Sequence, residues 1–258
     1  MSTLIRRSFF AVLFAASSAL APAQAQKAPS TYEPTVGQEG KDVVWVPTPQ
    51  SLVDKMLDMA KVTSSDYVID LGSGDGRTVI TAAKRGARAL GIEYNPSMVA
   101  LAKRNAEKEG VAGRAAFKKA DLFESDFSEA TVITMFLLPE INLKLRPKIF
   151  GLRPGTRVVS NTFTMGDWKA DQTATGDDCE GSWCTALLWI VPARVAGTWQ
   201  TPQGELVLKQ QFQMLSGSLR TAGKTFALRG RVRGDQISFT AGGRQYQGTV
   251  TGKRLDLR

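Results

Sequence analysis

The sequence predicts an α/β protein whose parallel-type sheet is followed by a small antiparallel β-meander. Three observations carry that expectation. Strand, glycine turn and helix follow one another along Tyr67-Val-Ile-Asp-Leu-Gly-Ser-Gly-Asp-Gly-Arg77, the ligand-cradling corner of a doubly wound sheet. Short apolar runs then alternate with helical patterns as far as Val191, as a sheet with crossover helices requires. From Gly197 the pattern changes to period two, broken by glycine turns. The expected organisation is a signal peptide over 1–25, a flexible lead-in over 26–42, the α/β domain over 43–193 and the meander over 197–258.

Taken in order, Arg6-Arg7 opens a charged start, Phe9 to Leu20 is apolar, and Ala23-Gln24-Ala25 has the small-x-small form of a cleavage site. An exported, periplasmic protein is expected. Arg6-Arg7-Ser8-Phe9-Phe10 resembles a twin-arginine signal, although Ile5 stands where Ser or Thr is usual, so ordinary secretion stays open. Lys27 to Lys41 is rich in Pro, Gly, Gln and Ser and reads as lead-in. Thr48 before Pro49 predicts an N-cap, and Val53, Met56, Leu57 and Ala60 give the helix an apolar face. Trp45 and Val46 either roof a pocket or pack the core.

Val68 and Ile69 form the first strand and Thr78 begins the helix after the glycine turn. Ala87 to Glu93 is the second strand. Asn95-Pro96 opens a helix ending at Gly110. Ala115 to Lys119 is the third strand, and Ala130 to Leu138, apolar throughout its middle, the fourth. Pro139 begins a helix that Pro147 interrupts. Thr156 to Phe163 and Thr185 to Val191 are the remaining strands read in this region. Cys179 and Cys184 between them suit a disulfide across a hairpin tip, or two free thiols. In the meander Leu206, Leu208, Phe212 and Met214 share one face, and a curled sheet against the larger domain is expected. Arg229, Arg231 and Arg233 share the opposite kind of face, either a solvated edge or a docking surface for an anionic partner such as a membrane.

Composition narrows the chemistry. The 258 residues contain no histidine, which excludes Ser-His-Asp and Cys-His machinery and any His-ligated metal; two cysteines alone make no structural zinc site, so no metal is expected. The net charge is +9. Residues 26–196 are neutral, with 21 basic and 21 acidic residues, whereas 197–258 hold 10 basic against 3 acidic. The excess positive charge of the mature chain therefore sits in the meander.

The glycine turn points to a particular ligand. A dinucleotide fingerprint needs glycine at position 77, where Arg77 stands, and Asp70 and Asp75 would repel a pyrophosphate. Acids suit a cationic, phosphate-free ligand, and S-adenosylmethionine is one. Glu93 at the end of the second strand is placed to accept ribose hydroxyls, and Asp121 at the end of the third to meet an adenine amino group. The candidate cofactor set is Trp45, Asp70, Gly72, Ser73, Gly74, Asp75, Gly76, Glu93, Asn95, Asp121 and Leu122.

The strand order fits the seven-stranded class I methyltransferase sheet, with its last strand antiparallel. Trp45-Val-Pro, Val68 to Arg77, Gly91-Ile-Glu-Tyr-Asn-Pro96, Asp121-Leu122, Phe136-Leu-Leu-Pro139 and Asp167-Trp168 resemble the small protein-lysine methyltransferases, in particular those that modify the membrane-embedded c ring of ATP synthase. The resemblance covers roughly residues 43–190. It implies that Asp70, Gly72, Gly74, Glu93 and Asp121 bind the cofactor and that Phe136 to Glu140 lines the substrate entrance. The expected activity is methyl transfer to a protein lysine, with a membrane-associated protein as one candidate acceptor and no nucleic acid. Glu140, Asn142 and Asn161, with Ser160, are the polar groups near strand ends that stand as catalytic candidates. A small-molecule methyltransferase and an exported S-adenosylmethionine-binding protein without turnover are the alternatives.

Overall fold

The computed structural model describes residues 32–177, 179 and 181–258, so the export signal read over 1–25 lies outside the described residues. The first helix, α1 (Gln50–Met59), buries Leu52, Val53, Met56 and Leu57. Thr48 does not cap it. Its hydroxyl accepts from Asn161 Nδ2 (3.3 Å) and its carbonyl from Arg77 Nη1 (2.9 Å). The carbonyl of Pro49 takes the first helical N–H groups instead, from Leu52 and Val53 at 3.0 Å.

The α/β core continues as β1 (Tyr67–Leu71), α2 (Arg77–Lys84), β2 (Arg88–Glu93), α3 (Pro96–Lys108), β3 (Ala115–Lys119), β4 (Val132–Met135), α4 (Pro139–Phe150), β5 (Arg157–Asn161), β6 (Gln172–Thr175) and β7 (Thr185–Ile190). The strands lie in the order β3-β2-β1-β4-β5-β7-β6. β1 pairs in parallel with both β2 and β4, so the direction of winding reverses beside β1. A crevice opens outside the strand ends at such a point. β7 runs antiparallel to β5, and β6 antiparallel to β7. One apolar cluster, around Leu57, Val79, Val132 and Leu188, covers one side of the sheet. The other gathers Ile69, Ile133, Leu145, Trp168 and Trp189.

Several boundaries depart from expectation for clear reasons. β4 stops at Met135 because the apolar residues after it leave the sheet for the crevice. α4 passes through Pro147 to Phe150. A proline three residues from a helix end deprives only one earlier carbonyl of its partner. β6 had no apolar signal, since three of its four residues are exposed. α3 begins and ends as read: Asn95 Oδ1 accepts from Ser97 N (2.9 Å), and Gly110 follows with φ +71°.

The β6–β7 hairpin carries a Cys179–Cys184 disulfide at its tip, with Cα atoms 5.7 Å apart. Oxidised mature protein should therefore be about 2 Da lighter than reduced protein and resist alkylation. Rapid labelling of both thiols without reductant would exclude the bond.

The second sheet is a seven-stranded antiparallel meander of β8 (Gly197–Thr201), β9 (Gly204–Gln211), β10 (Met214–Thr221), β11 (Lys224–Arg233), β12 (Gln236–Ala241), β13 (Arg244–Thr251) and β14 (Arg254–Leu257). Its inner face buries Leu206, Leu208, Leu219, Leu228, Val232, Ile237 and Phe239. The sheet curls until Gln203, in the first turn, donates to Leu257 O on the last strand (3.3 Å).

Two expectations about the meander are corrected. Phe212 and Met214 do not share its inner face: β9 ends at Gln211, Phe212 sits in the turn at φ +51°, and Met214 is exposed. Phe212 instead stacks on Trp168 of the first sheet (5.7 Å, 7°) and meets Phe150 edge-on (5.7 Å). Beside it Gln213 Nε2 donates to Lys169 O (2.7 Å). Arg229, Arg231 and Arg233 do occupy the exposed face of β11. Arg231, however, is committed to an ion pair with the buried carboxylate of Asp171. The hydrophobic core imposes the alternation, but the partner of an outward arginine depends on what the outer face meets.

A candidate cofactor and acceptor site

The crevice beside β1 holds a cavity of about 510 Å³, within the range of small-molecule sites. Ten of the eleven cofactor candidates line it: Trp45, Asp70, Gly72, Ser73, Gly74, Asp75, Glu93, Asn95, Asp121 and Leu122. Gly76 stands behind the wall. It precedes α2 at φ +85°, and a Cβ there would lie 2.7 Å from the Phe117 ring and 2.9 Å from Ala102 Cβ, so its role is packing. Gly74 is required on the cavity side. Its φ is +53°, and an added Cβ would fall 2.6 Å from Trp45 Nε1, a conformation and a clearance that side chains do not allow.

The acids differ in how they are engaged. Glu93 accepts from Gly74 N with one oxygen and from Asn95 N with the other, both at 2.9 Å. It thus fixes the glycine turn and the start of α3 while facing the cavity. Asp75 is held by Arg77 through Nε (3.1 Å) and Nη2 (2.6 Å). Asp70, at the end of β1, accepts from Thr134 Oγ1 (2.7 Å). Burial pushes its carboxyl up from 3.8 to about 7, the Thr134 bond opposes that, and the charges of Glu93 and Asp75 add to it. Asp121 is paired with Lys41, whose bond and the Phe123 N–H hold it below its ordinary value.

Lys41 was not foreseen. It lies on a hairpin tied by Gly37 N to Trp45 O and Trp45 N to Gln38 O, both 2.9 Å. Lys41 Nζ also stands 5.0 Å from the Tyr94 ring centroid. Residues 38–48 line the cavity, so the stretch read as lead-in is in part a strap over the site. Trp45 both roofs the cavity and rests on the glycine turn.

The other end of the cavity is uncharged. Met135, Phe136, Leu137, Leu138 and Ile141 line it, with Phe163 and Trp183. Phe136 stacks on Phe163 (5.9 Å, 19°) and meets Trp183 edge-on (6.2 Å, 60°). The catalytic candidates lie outside this lining. Glu140 is exposed in the first turn of α4. Asn142 is buried and gives its amide to Phe163 O (3.1 Å) and Thr164 O (3.3 Å). Asn161 is buried, donating to Thr48 and accepting from Thr162 Oγ1 (2.9 Å). Ser160 Oγ meets only a backbone carbonyl, Asn161 O at 3.4 Å. These polar groups hold the loop that carries Phe163. They do not point acid–base chemistry into the cavity.

Comparison with known proteins agrees with this geometry. The model of the ANTKMT methyltransferase domain matches residues 70–172. A protein-lysine N-methyltransferase of Saccharolobus islandicus is 48% identical over 53% of this chain and 86% of its own length. A Rattus norvegicus lysine N-methyltransferase, named for the c-ring protein of ATP synthase, is 36% identical over 54% of this chain and 64% of its own. The chain thus spans less than two thirds of that relative. A solved structure described as an RNA methyltransferase from Salinibacter ruber with S-adenosyl-L-homocysteine is 50% identical, with TM-score 0.54, covering 58% of this chain and 96% of that one.

Proposed function

The chain belongs to the S-adenosylmethionine-dependent methyltransferase family that includes the Saccharolobus protein-lysine N-methyltransferase, and from that premise we propose that it methylates the side-chain amine of a protein lysine. The observation that carries the reading is the cavity's division into an acidic end of strand-end carboxylates and an uncharged aromatic end. The residues fit the cofactor: a glycine turn cleared of side chains, a carboxylate at the end of each of the first three strands, and a roofing indole. We assign Glu93 to the ribose hydroxyls, Asp121 to the adenine end and Asp70 to the positively charged amino-acid portion. S-adenosylmethionine supplies a methyl group activated on a sulfonium.

What the chain must then do is hold a neutral amine in line with that group and keep water out. Apolar walls favour the uncharged amine, because burial disfavours an ammonium. No general base is needed among the lining residues of the aromatic end. Asn142 acts as a positioning residue through Phe163. The relative described as an RNA methyltransferase makes RNA the competing acceptor, so the test includes it. Calorimetry of the mature protein should give heat with S-adenosylhomocysteine. Incubation with extracted envelope protein and with total RNA should label protein at lysine, about 14 Da per methyl. No heat would remove the cofactor reading, and label confined to RNA would remove the acceptor.

The raised Asp70 adds a measurable consequence. Near pH 7 this carboxyl is half protonated, and a cation bound beside it would favour the charged form. S-adenosylmethionine binding should therefore release protons near neutrality. Calorimetry in two buffers of different ionisation enthalpy should show it, and Asp70→Asn should abolish it. Identical heats in both buffers for the unaltered protein would remove Asp70 from the ligand's vicinity. Export and a membrane-facing meander belong to the same reading: Arg229 and Arg233, but not the paired Arg231, are the arginines of that stripe left to meet an anionic surface.

A further inference from the structure

Resting on the lysine reading above, we propose that Trp183, held by the Cys179–Cys184 disulfide, is the third wall of an aromatic port that selects the lysine side chain and its methylated products. Trp183 is 44% exposed, a large apolar side chain left in solvent. It nevertheless lines the cavity and completes a trio with Phe136 and Phe163. Three aromatic faces around an uncharged cavity end suit a four-carbon stem and then a methylated ammonium, which binds ring faces without needing hydrogen-bond acceptors.

The trio is built at some cost. Phe163 follows Thr162, a β-branched residue at φ +59°, a conformation that persists only where surroundings enforce it. Thr162 N is bonded to Thr185 O (2.6 Å), and Asn142 holds Phe163 O. Trp183 is set from the other side. It immediately precedes Cys184, which is 6% exposed and whose carbonyl accepts from Gly176 N (2.9 Å). Gly176 packs against Leu52 of α1 and Cys179, where an added Cβ would stand 3.2 and 3.3 Å away. The bond between the cysteines closes the short loop that carries Trp183, so opening it frees the indole from its neighbours. Redox state and acceptor binding are thereby coupled.

The probes are Nα-acetyl-lysine methylamide and its Nε-trimethylated form, titrated into mature protein saturated with S-adenosylhomocysteine and followed by tryptophan fluorescence and calorimetry. The trimethylated probe should bind the unaltered protein, about ten-fold more weakly to Trp183→Ala, and almost normally to Trp183→Phe. Reductant should imitate Trp183→Ala, and so should Cys179→Ser/Cys184→Ser. S-adenosylhomocysteine affinity should stay unchanged in every case, which separates loss of the port from loss of the fold. Unchanged probe binding by Trp183→Ala, or no probe binding by unaltered protein that still binds S-adenosylhomocysteine, overturns the port and leaves the methyltransferase reading standing. If S-adenosylhomocysteine itself gives no heat, the cofactor reading fails and the port fails with it.

Discussion

Asp66→Ala should lower the unfolding free energy by about 2–4 kcal/mol, the scale for stripping one partner from a largely buried ion pair, discounted for a partner that still touches solvent. Asp66 is 6% exposed, just before β1. It accepts from Thr63 N (2.8 Å), from Thr131 Oγ1 (2.7 Å) and from Arg157, which also donates to Ala60 O (2.8 Å). One carboxylate thus ties the end of α1 to three neighbouring strands. Urea unfolding checks it, and Asp66→Ala/Arg157→Ala should recover part of the loss because no unpaired guanidinium remains. A loss under about 0.5 kcal/mol would mean that the network is ornamental.

The same residue sets one side of the pH dependence. Burial pushes the Asp66 carboxyl up, but Arg157, Thr131 and the Thr63 N–H outweigh it and hold it below 3.8. Its contribution is present above that value and is lost as pH falls through the depressed one. Asp70 runs the other way. Its value in the folded protein is raised to about 7, so its contribution is full below 3.8 and is lost as pH rises through neutrality. Cofactor-free protein should therefore be more stable at mildly acidic pH than at pH 8, and Asp70→Asn should flatten the alkaline limb.

Glu93→Ala should weaken S-adenosylhomocysteine binding by roughly 1.5–3 kcal/mol, or about 10- to 150-fold. The effect has two sources. The ribose acceptor disappears, and Gly74 N and Asn95 N lose the carboxylate that fixes them. Glu93→Gln keeps one acceptor oxygen and should fall between. Calorimetry on variants with unchanged melting temperature decides it. A dissociation constant within about three-fold of the unaltered protein would remove Glu93 from the site.

The acidic half of the site was legible because its residues stand at strand ends or inside one contiguous turn. Asp70, Glu93 and Asp121 follow from period and position alone, since parallel strands deliver their ends to one edge. Lys41 was not legible. Its hairpin has no apolar periodicity and takes its shape from Asp121 and Tyr94, far along the chain. Asn142 and Asn161 were correctly placed near strand ends, but a polar side chain does not reveal which way it points until the loop it serves is known. Here that loop turns at Thr162, in a conformation no propensity would assign to a threonine. Trp183 reads in the sequence only as a neighbour of the cysteines; its significance required the fold to bring Phe136 and Phe163 beside it.

Phe212 has a bearing on protein engineering. Its ring closes a socket floored by Trp168, which is wholly buried only in company, and walled by Phe150. Cutting the chain after residue 196 to obtain a minimal catalyst would uncap that socket and strand the acidic Asp171 without Arg231. Such a fragment would be sticky as well as weakened, and would self-associate before it could be assayed. The appended sheet behaves as a stopper in a bottle. An engineer who wishes to remove it has first to refill Trp168's open face, for instance by replacing Trp168 and Phe150 together with polar residues that tolerate water.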